Sequence, residues 1–80
     1  MNIEKVQIVF QEVFEDPGLK ILPEMTAKDV VGWDSFNHIN LIMELESAFD
    51  IIFSTDEIVE MANVGDMIVI LQRKGIDVSW

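Results

Sequence analysis

Cysteine is absent from the 80 residues. Neither a disulfide framework nor a thiolate metal site is therefore available, and the fold must stand on packing alone, as suits a reducing, cytoplasmic setting. Basic residues are scarce. Five Lys and Arg stand against fifteen Asp and Glu, a formal charge of −10, and the stretch from Asp29 to Asp66 holds nine acids with no Lys or Arg. Such a surface repels phosphate backbones and anionic lipid, which excludes nucleic-acid binding through the usual basic contacts. Basic protein surfaces are its natural complement. No apolar run is long enough to span a bilayer. The opening Met1-Asn2-Ile3-Glu4-Lys5 has neither a basic segment followed by an apolar core nor an Arg-rich amphipathic leader. Repeats, low-complexity tracts and strand-like alternation are missing as well.

Half of the residues are hydrophobic, with five Phe and two Trp, a composition far from that of disordered chains. A chain of this length buries only roughly 60 to 65 % of the surface it exposes when unfolded, enough for one small core. Residues 1–80 are thus read as a single domain, expected to be monomeric. Ile3, Val6, Val9, Phe10, Val13 and Phe14 recur at helical spacing, with Asn2 as a cap. Glu15-Asp16-Pro17-Gly18 ends that helix and opens a connection of about nineteen residues. Leu19, Ile21, Leu22, Met25, Val30, Val31 and Trp33 are enough to pin the connection across helix ends, and Thr26 with Asp29 suits a single capped turn. An ordered, plugging loop is predicted.

Asp34 stands where an N-cap belongs, and Phe36, Ile39, Ile42, Met43, Leu45 and Phe49 define a second helix over about 35–49. Ser54-Thr55-Asp56-Glu57 reads as a capping box that opens a short helix to about Met61. Asn63 caps a fourth helix with Val64, Met67, Ile68 and Leu71 inward, and Arg73 and Lys74 precede Gly75 at its end. The sum is an all-α four-helix bundle, three long helices and one short, with a long ordered loop between helices 1 and 2.

Gly32-Trp33-Asp34-Ser35-Phe36 is the sharpest local feature. A serine at the first helical position projects from the end of the bundle, where unpaired amides and the helix dipole favour an attached anion by about 0.3 to 1 kcal/mol. The dipeptide alone reads more readily as a plain capping pair. His38, one turn beyond, completes the residue types of a hydrolytic triad only nominally. Neighbours on one helical turn do not align nucleophile, base and orienting acid, and no Gly-x-Ser-x-Gly elbow is present, so no catalytic residue is assigned and His38 is expected to face solvent. The acids lack calcium-loop spacing, and no metal site is assigned.

Trp33-Asp34-Ser35-Phe36-Asn37-His38-Ile39-Asn40-Leu41-Ile42-Met43-Glu44-Leu45-Glu46, followed by Phe49-Asp50-Ile51 and later Val64-Gly65-Asp66, resembles the acyl carrier protein family over most of the chain. The resemblance implies a 4′-phosphopantetheine arm, moved from coenzyme A onto Ser35 by a phosphopantetheinyl transferase, whose thiol holds acyl groups as thioesters. It implies a non-catalytic carrier, since a serine hydroxyl needs an external base and a bound metal to attack a phosphoanhydride, and the modifying enzyme supplies both. Partner enzymes that load, condense or transfer acyl groups through basic docking surfaces are implied too. On the family's pattern they meet Asp34, Phe36, Ile39, Asn40, Met43, Glu46, Phe53, Asp56, Glu57 and Glu60, with part of the Phe36, Ile39 and Met43 stripe packing inward and the rest exposed near Ser35.

Two departures bear on partner choice. Phe36 replaces the usual leucine, and Asn40 stands where many fatty-acid carriers have glutamate, which favours a specialised pathway over the housekeeping one. The glycine pair that precedes the serine of peptidyl carriers is missing, which favours an acyl carrier. A start at Met1 and an end soon after the fourth helix suggest a free-standing chain. Fatty-acid, polyketide and other specialised biosynthesis all remain open. The rival class is an unmodified acidic helical interaction module in which Ser35 only starts a helix.

Overall fold

The structure, a computed structural model, describes residues 3–80. Four helices follow one another as α1 (Ile3–Val13), α2 (Ser35–Phe49), α3 (Thr55–Glu60) and α4 (Val64–Arg73), with no strand among the described residues. This is the all-α bundle with a long first connection that the sequence predicts. The proposed cap Asn2 lies outside the described residues.

Each later helix starts on the residue type that its first-turn amides demand. The Asp34 carboxylate accepts the Asn37 N–H at 2.8 Å, and Asn63 Oδ1 accepts the Asp66 N–H at 2.8 Å. Ser54 and Glu57 form the full reciprocal capping box, at 3.2 and 2.8 Å.

The core is built from Val6, Val9 and Phe10 of α1, Leu41, Ile42 and Leu45 of α2, and Val64, Met67, Ile68, Ile70 and Leu71 of α4. α3 contributes no fully buried residue and leans on the core through half-buried Ile58. Beyond α4, Val78 is buried, and the Gln72 amide donates to its carbonyl oxygen at 2.8 Å, which ties the tail to the bundle.

The long connection is ordered because it is fastened at both ends of its course. Near α1, the Ile21 N–H donates to Gln7 Oε1 at 3.1 Å and the Gln11 amide donates to the Leu19 carbonyl at 2.9 Å. Further on, the Val64 and Gly65 N–H groups donate to the Met25 and Pro23 carbonyls, both at 2.9 Å. The Thr26 and Asp29 turn forms as expected, with Asp29 Oδ2 accepting the Thr26 N–H at 2.9 Å. Ile21, Val30 and Trp33 plug the core from this segment.

α2 ends on Asp50 in the left-handed conformation, φ 55°. A side chain there is strained relative to glycine, and a carboxylate at a helix C-terminus opposes the dipole. Asp50→Gly is therefore expected to stabilise the fold by about 0.5 to 1 kcal/mol. Thermal unfolding checks it, and an unchanged or lower midpoint would show that the Asp50 carboxylate compensates locally.

Candidate functional site

Ser35 is placed by the residues just before it. Gly32 adopts φ 90°, a conformation that favours glycine, and its carbonyl then accepts the Asp34 N–H at 2.9 Å and the Asn37 side-chain amide at 2.7 Å. This turn sends Trp33 inward, where its ring meets Phe10 edge-on at 5.6 Å and Phe14 at 5.9 Å. With residue 33 anchored in the core and Asp34 committed to the cap, Ser35 begins the helix exposed to solvent. The amides of Ser35 and Phe36 have no acceptor among the described residues, as first-turn positions do.

The serine stands at the mouth of an open groove of about 550 Å3 between the start of α2 and α3. Trp33, Asp34, His38 and Ile39 line one side, Ile58, Val59 and Met61 the other, with Ala27 and Ala62 completing the wall.

His38 does not simply face solvent, as the sequence suggested. It is half-buried, its ring stacks on Trp33 at 6.0 Å and 19°, and its Nδ1 accepts the Trp33 indole N–H at 3.0 Å. A buried indole N–H needs an acceptor, and the imidazole is the group in reach.

The stripe of Phe36, Ile39 and Met43 is also corrected. None of the three packs inward: they are 75, 49 and 58 % exposed. The helix instead turns Leu41, Ile42 and Leu45 to the core, a stripe rotated by about 150°, with His38 at its N-terminal end. Val59 of α3 is exposed as well, so apolar side chains stand on both sides of the groove that Ser35 opens into.

Phe53, expected on the docking surface, is only 5 % exposed. The Glu46 carboxylate accepts the Phe53 N–H at 2.9 Å, and the Lys74 ammonium lies 5.5 Å from the ring centroid. The chain is thereby drawn in, and Phe53 offers a partner no surface. Asn40 is half-buried and borders a different cleft, with Glu12, Val13 and Glu44. Asp34, Asp56 and Glu60 are exposed. Sequence reading missed the groove wall at Ala27, Val59 and Ala62 and the Trp33–His38 pair, for which no local spacing gives a signal.

Glu57 is half-buried and held from inside. The hydrogen bond from Lys74, 2.8 Å away, together with the Ser54 backbone N–H, keeps its carboxyl below the usual carboxylate value. A lowered folded value means that the stability it confers is complete above the ordinary carboxylate range and is lost as pH falls through the lowered one. Glu57→Gln should therefore remove part of the acid-side slope of stability against pH. Urea titrations at stepped pH check this, and an unaltered slope would show that other carboxylates govern acid unfolding.

Fold and site together define the class: a small, acidic, all-α bundle with an exposed helix-start serine at the mouth of a groove, the architecture of carrier domains. No family model matches the chain. Individual relatives do. An acyl carrier protein from an Exiguobacterium species is 31 % identical over 78 residues, covering 92 % of this chain and 99 % of the relative. One from Desulforapulum autotrophicum is 33 % identical over 76 residues with the same coverage. The solution structure of a holo acyl carrier protein from Geobacter metallireducens superposes with a TM-score of 0.82 at 32 % identity, covering 100 % of this chain and 98 % of that one. The chain belongs to the acyl carrier protein family.

Proposed function

We propose that the protein carries acyl groups as thioesters on a 4′-phosphopantetheine arm attached to Ser35, and presents them to partner enzymes without catalysing a reaction itself. The observation that carries this reading is the exposed Ser35 hydroxyl at the first position of α2, beside two uncommitted amides and over an open groove. The site fits the group. A phosphodiester on Ser35 meets the positive end of the α2 dipole and the free first-turn amides, and the groove gives the apolar part of an arm a wall to lie against. Membership of the carrier family and the holo state of the Geobacter metallireducens relative support the same assignment.

Attachment joins the Ser35 oxygen to phosphorus and breaks the pyrophosphate bond of coenzyme A, releasing the nucleotide half. The hydroxyl proton passes to a base on the phosphopantetheinyl transferase. Exposed Phe36, Ile39, Met43 and Val59, rimmed by Asp34, Asp56 and Glu60, form the surface that the transferase and the acyl-loading, condensing or transferring enzymes meet. Complementary basic partners are steered to such a rim.

Incubation with a broad-specificity transferase, magnesium and coenzyme A, followed by intact mass measurement, tests the reading. The expected result is a gain of one arm in the wild type and none in Ser35→Ala. A folded wild-type protein that gains nothing would leave only the unmodified interaction module.

A further inference from the structure

The Trp33–His38 pair has a chemical consequence for the groove. An indole N–H only donates, so His38 Nδ1, which receives it at 3.0 Å, is the bare nitrogen of the ring. The neutral imidazole must then carry its proton on Nε2. Trp33 is itself held by Phe10 and Phe14, so the tautomer and the ring plane are fixed from the core outward. Nε2 has no partner among the described residues, and His38 lines the groove together with Ser35 and Asp34.

Helix geometry supplies the direction. Side chains lean toward the helix N-terminus, and residues three apart share a face, so the residue at 38 overlies the turn that begins at 35. Asp34 Oδ1 accepts the Asn37 N–H, and no side-chain hydrogen bond joins Asp34 to the imidazole among the described residues.

We infer that His38 is a positioning residue for the arm: its Nε2–H, fixed by the Trp33 indole at Nδ1, donates a hydrogen bond to a phosphodiester oxygen of the group carried on Ser35. The inference rests on the attachment at Ser35 proposed above. It makes the root of the arm a two-sided site, with backbone amides at the helix start and an imidazole N–H one turn along. The arm then leaves Ser35 along the groove and not freely into solvent.

Nuclear magnetic resonance of the apo and holo proteins, labelled with nitrogen-15 at histidine and tryptophan, tests this. Before attachment the imidazole should show the Nε2–H tautomer. After attachment, Nε2–H exchange with water should slow by about tenfold or more, as for a hydrogen bond to a charged acceptor. The phosphorus-31 resonance of the arm should differ between wild type and His38→Asn, which keeps an acceptor for Trp33 but offers no donor at the Nε2 position. His38→Gln, which restores an N–H there, should return it toward the wild-type value. The Trp33 indole resonance reports whether each variant keeps its fold, and the wild-type measurement needs no variant at all. Absence of the arm by mass would sink the attachment at Ser35 and this inference together. An arm that is present, with Nε2–H exchange unchanged, would overturn only the role of His38. Slowed exchange with a phosphorus resonance indifferent to both substitutions would overturn it too, by placing the acceptor elsewhere on the arm.

Discussion

Phe10→Ala is expected to leave the protein largely unfolded at physiological temperature. Phe10 is fully buried and touches the rings of Phe14, at 6.0 Å, and Trp33. Truncating a buried phenylalanine costs about 3 to 5 kcal/mol. A chain of this length holds roughly 4 to 12 kcal/mol in all, at about 0.05 to 0.15 kcal/mol per residue. A net charge of −10 places this protein toward the lower end, because like charges repel in the compact state. The loss also reaches the site, since Phe10 is a wall against which Trp33 seats, and Trp33 sets both Ser35 and the His38 ring. Phe14→Ala, at a half-buried position, should cost less. Urea unfolding followed by tryptophan fluorescence and circular dichroism measures both. A Phe10→Ala midpoint near that of the wild type would mean that the loop closes over the gap and that Trp33 is seated by other contacts.

What could be read in the sequence was mostly what short-range chemistry decides. Asp34, Ser54 with Glu57, and Asn63 cap their helices because a side-chain oxygen three residues before an orphan amide is a local arrangement. The inward stripe of α4 was equally plain, because its apolar residues leave one face. α2 was harder. Phe36, Ile39 and Met43 form one apolar stripe and Leu41, Ile42 and Leu45 another, and periodicity alone cannot say which one meets α1 and α4. Packing chose the second. Phe53 went wrong for a related reason: its burial depends on Glu46 and Lys74, seven and twenty-one positions away in the chain. His38 was misjudged because its partner lies before the helix cap, outside any helical repeat. The loop's fasteners Gln7 and Gln11 act over fourteen and eight positions, where polar residues of α1 read only as a solvated face. The exposed serine at the start of α2, by contrast, was legible because its surroundings are contiguous in sequence: turn, anchor, cap and helix start fall within five residues, 32 to 36.

Phe36→Asp should slow arm attachment by about thirtyfold in kcat/KM while leaving the melting midpoint almost unchanged. Phe36 adjoins Ser35 and is the most exposed of the large apolar residues on α2, so its ring contributes little to the fold; exposed substitutions usually fall within about 0.5 kcal/mol. Aromatic side chains that stand free in this way are the type that anchors interfaces, where losing one costs about 2 kcal/mol or more, the free-energy equivalent of that rate factor. Ile39 and Met43, less exposed and further along α2, should give graded smaller losses. Asn40→Ala should give almost none, because Asn40 borders the cleft with Glu12 and Glu44 instead of the groove. The acids behave differently. Asp56→Lys and Glu60→Lys act on encounter, so their effect should be large in dilute buffer and fade once salt shortens the screening length to about 10 Å or less. Steady-state transferase kinetics at two ionic strengths separates the contributions, since the loss from Phe36 should persist at high salt. If Phe36→Asp is processed like the wild type while the lysine variants fail at low salt, charge alone guides the transferase and the apolar stripe must serve a later partner.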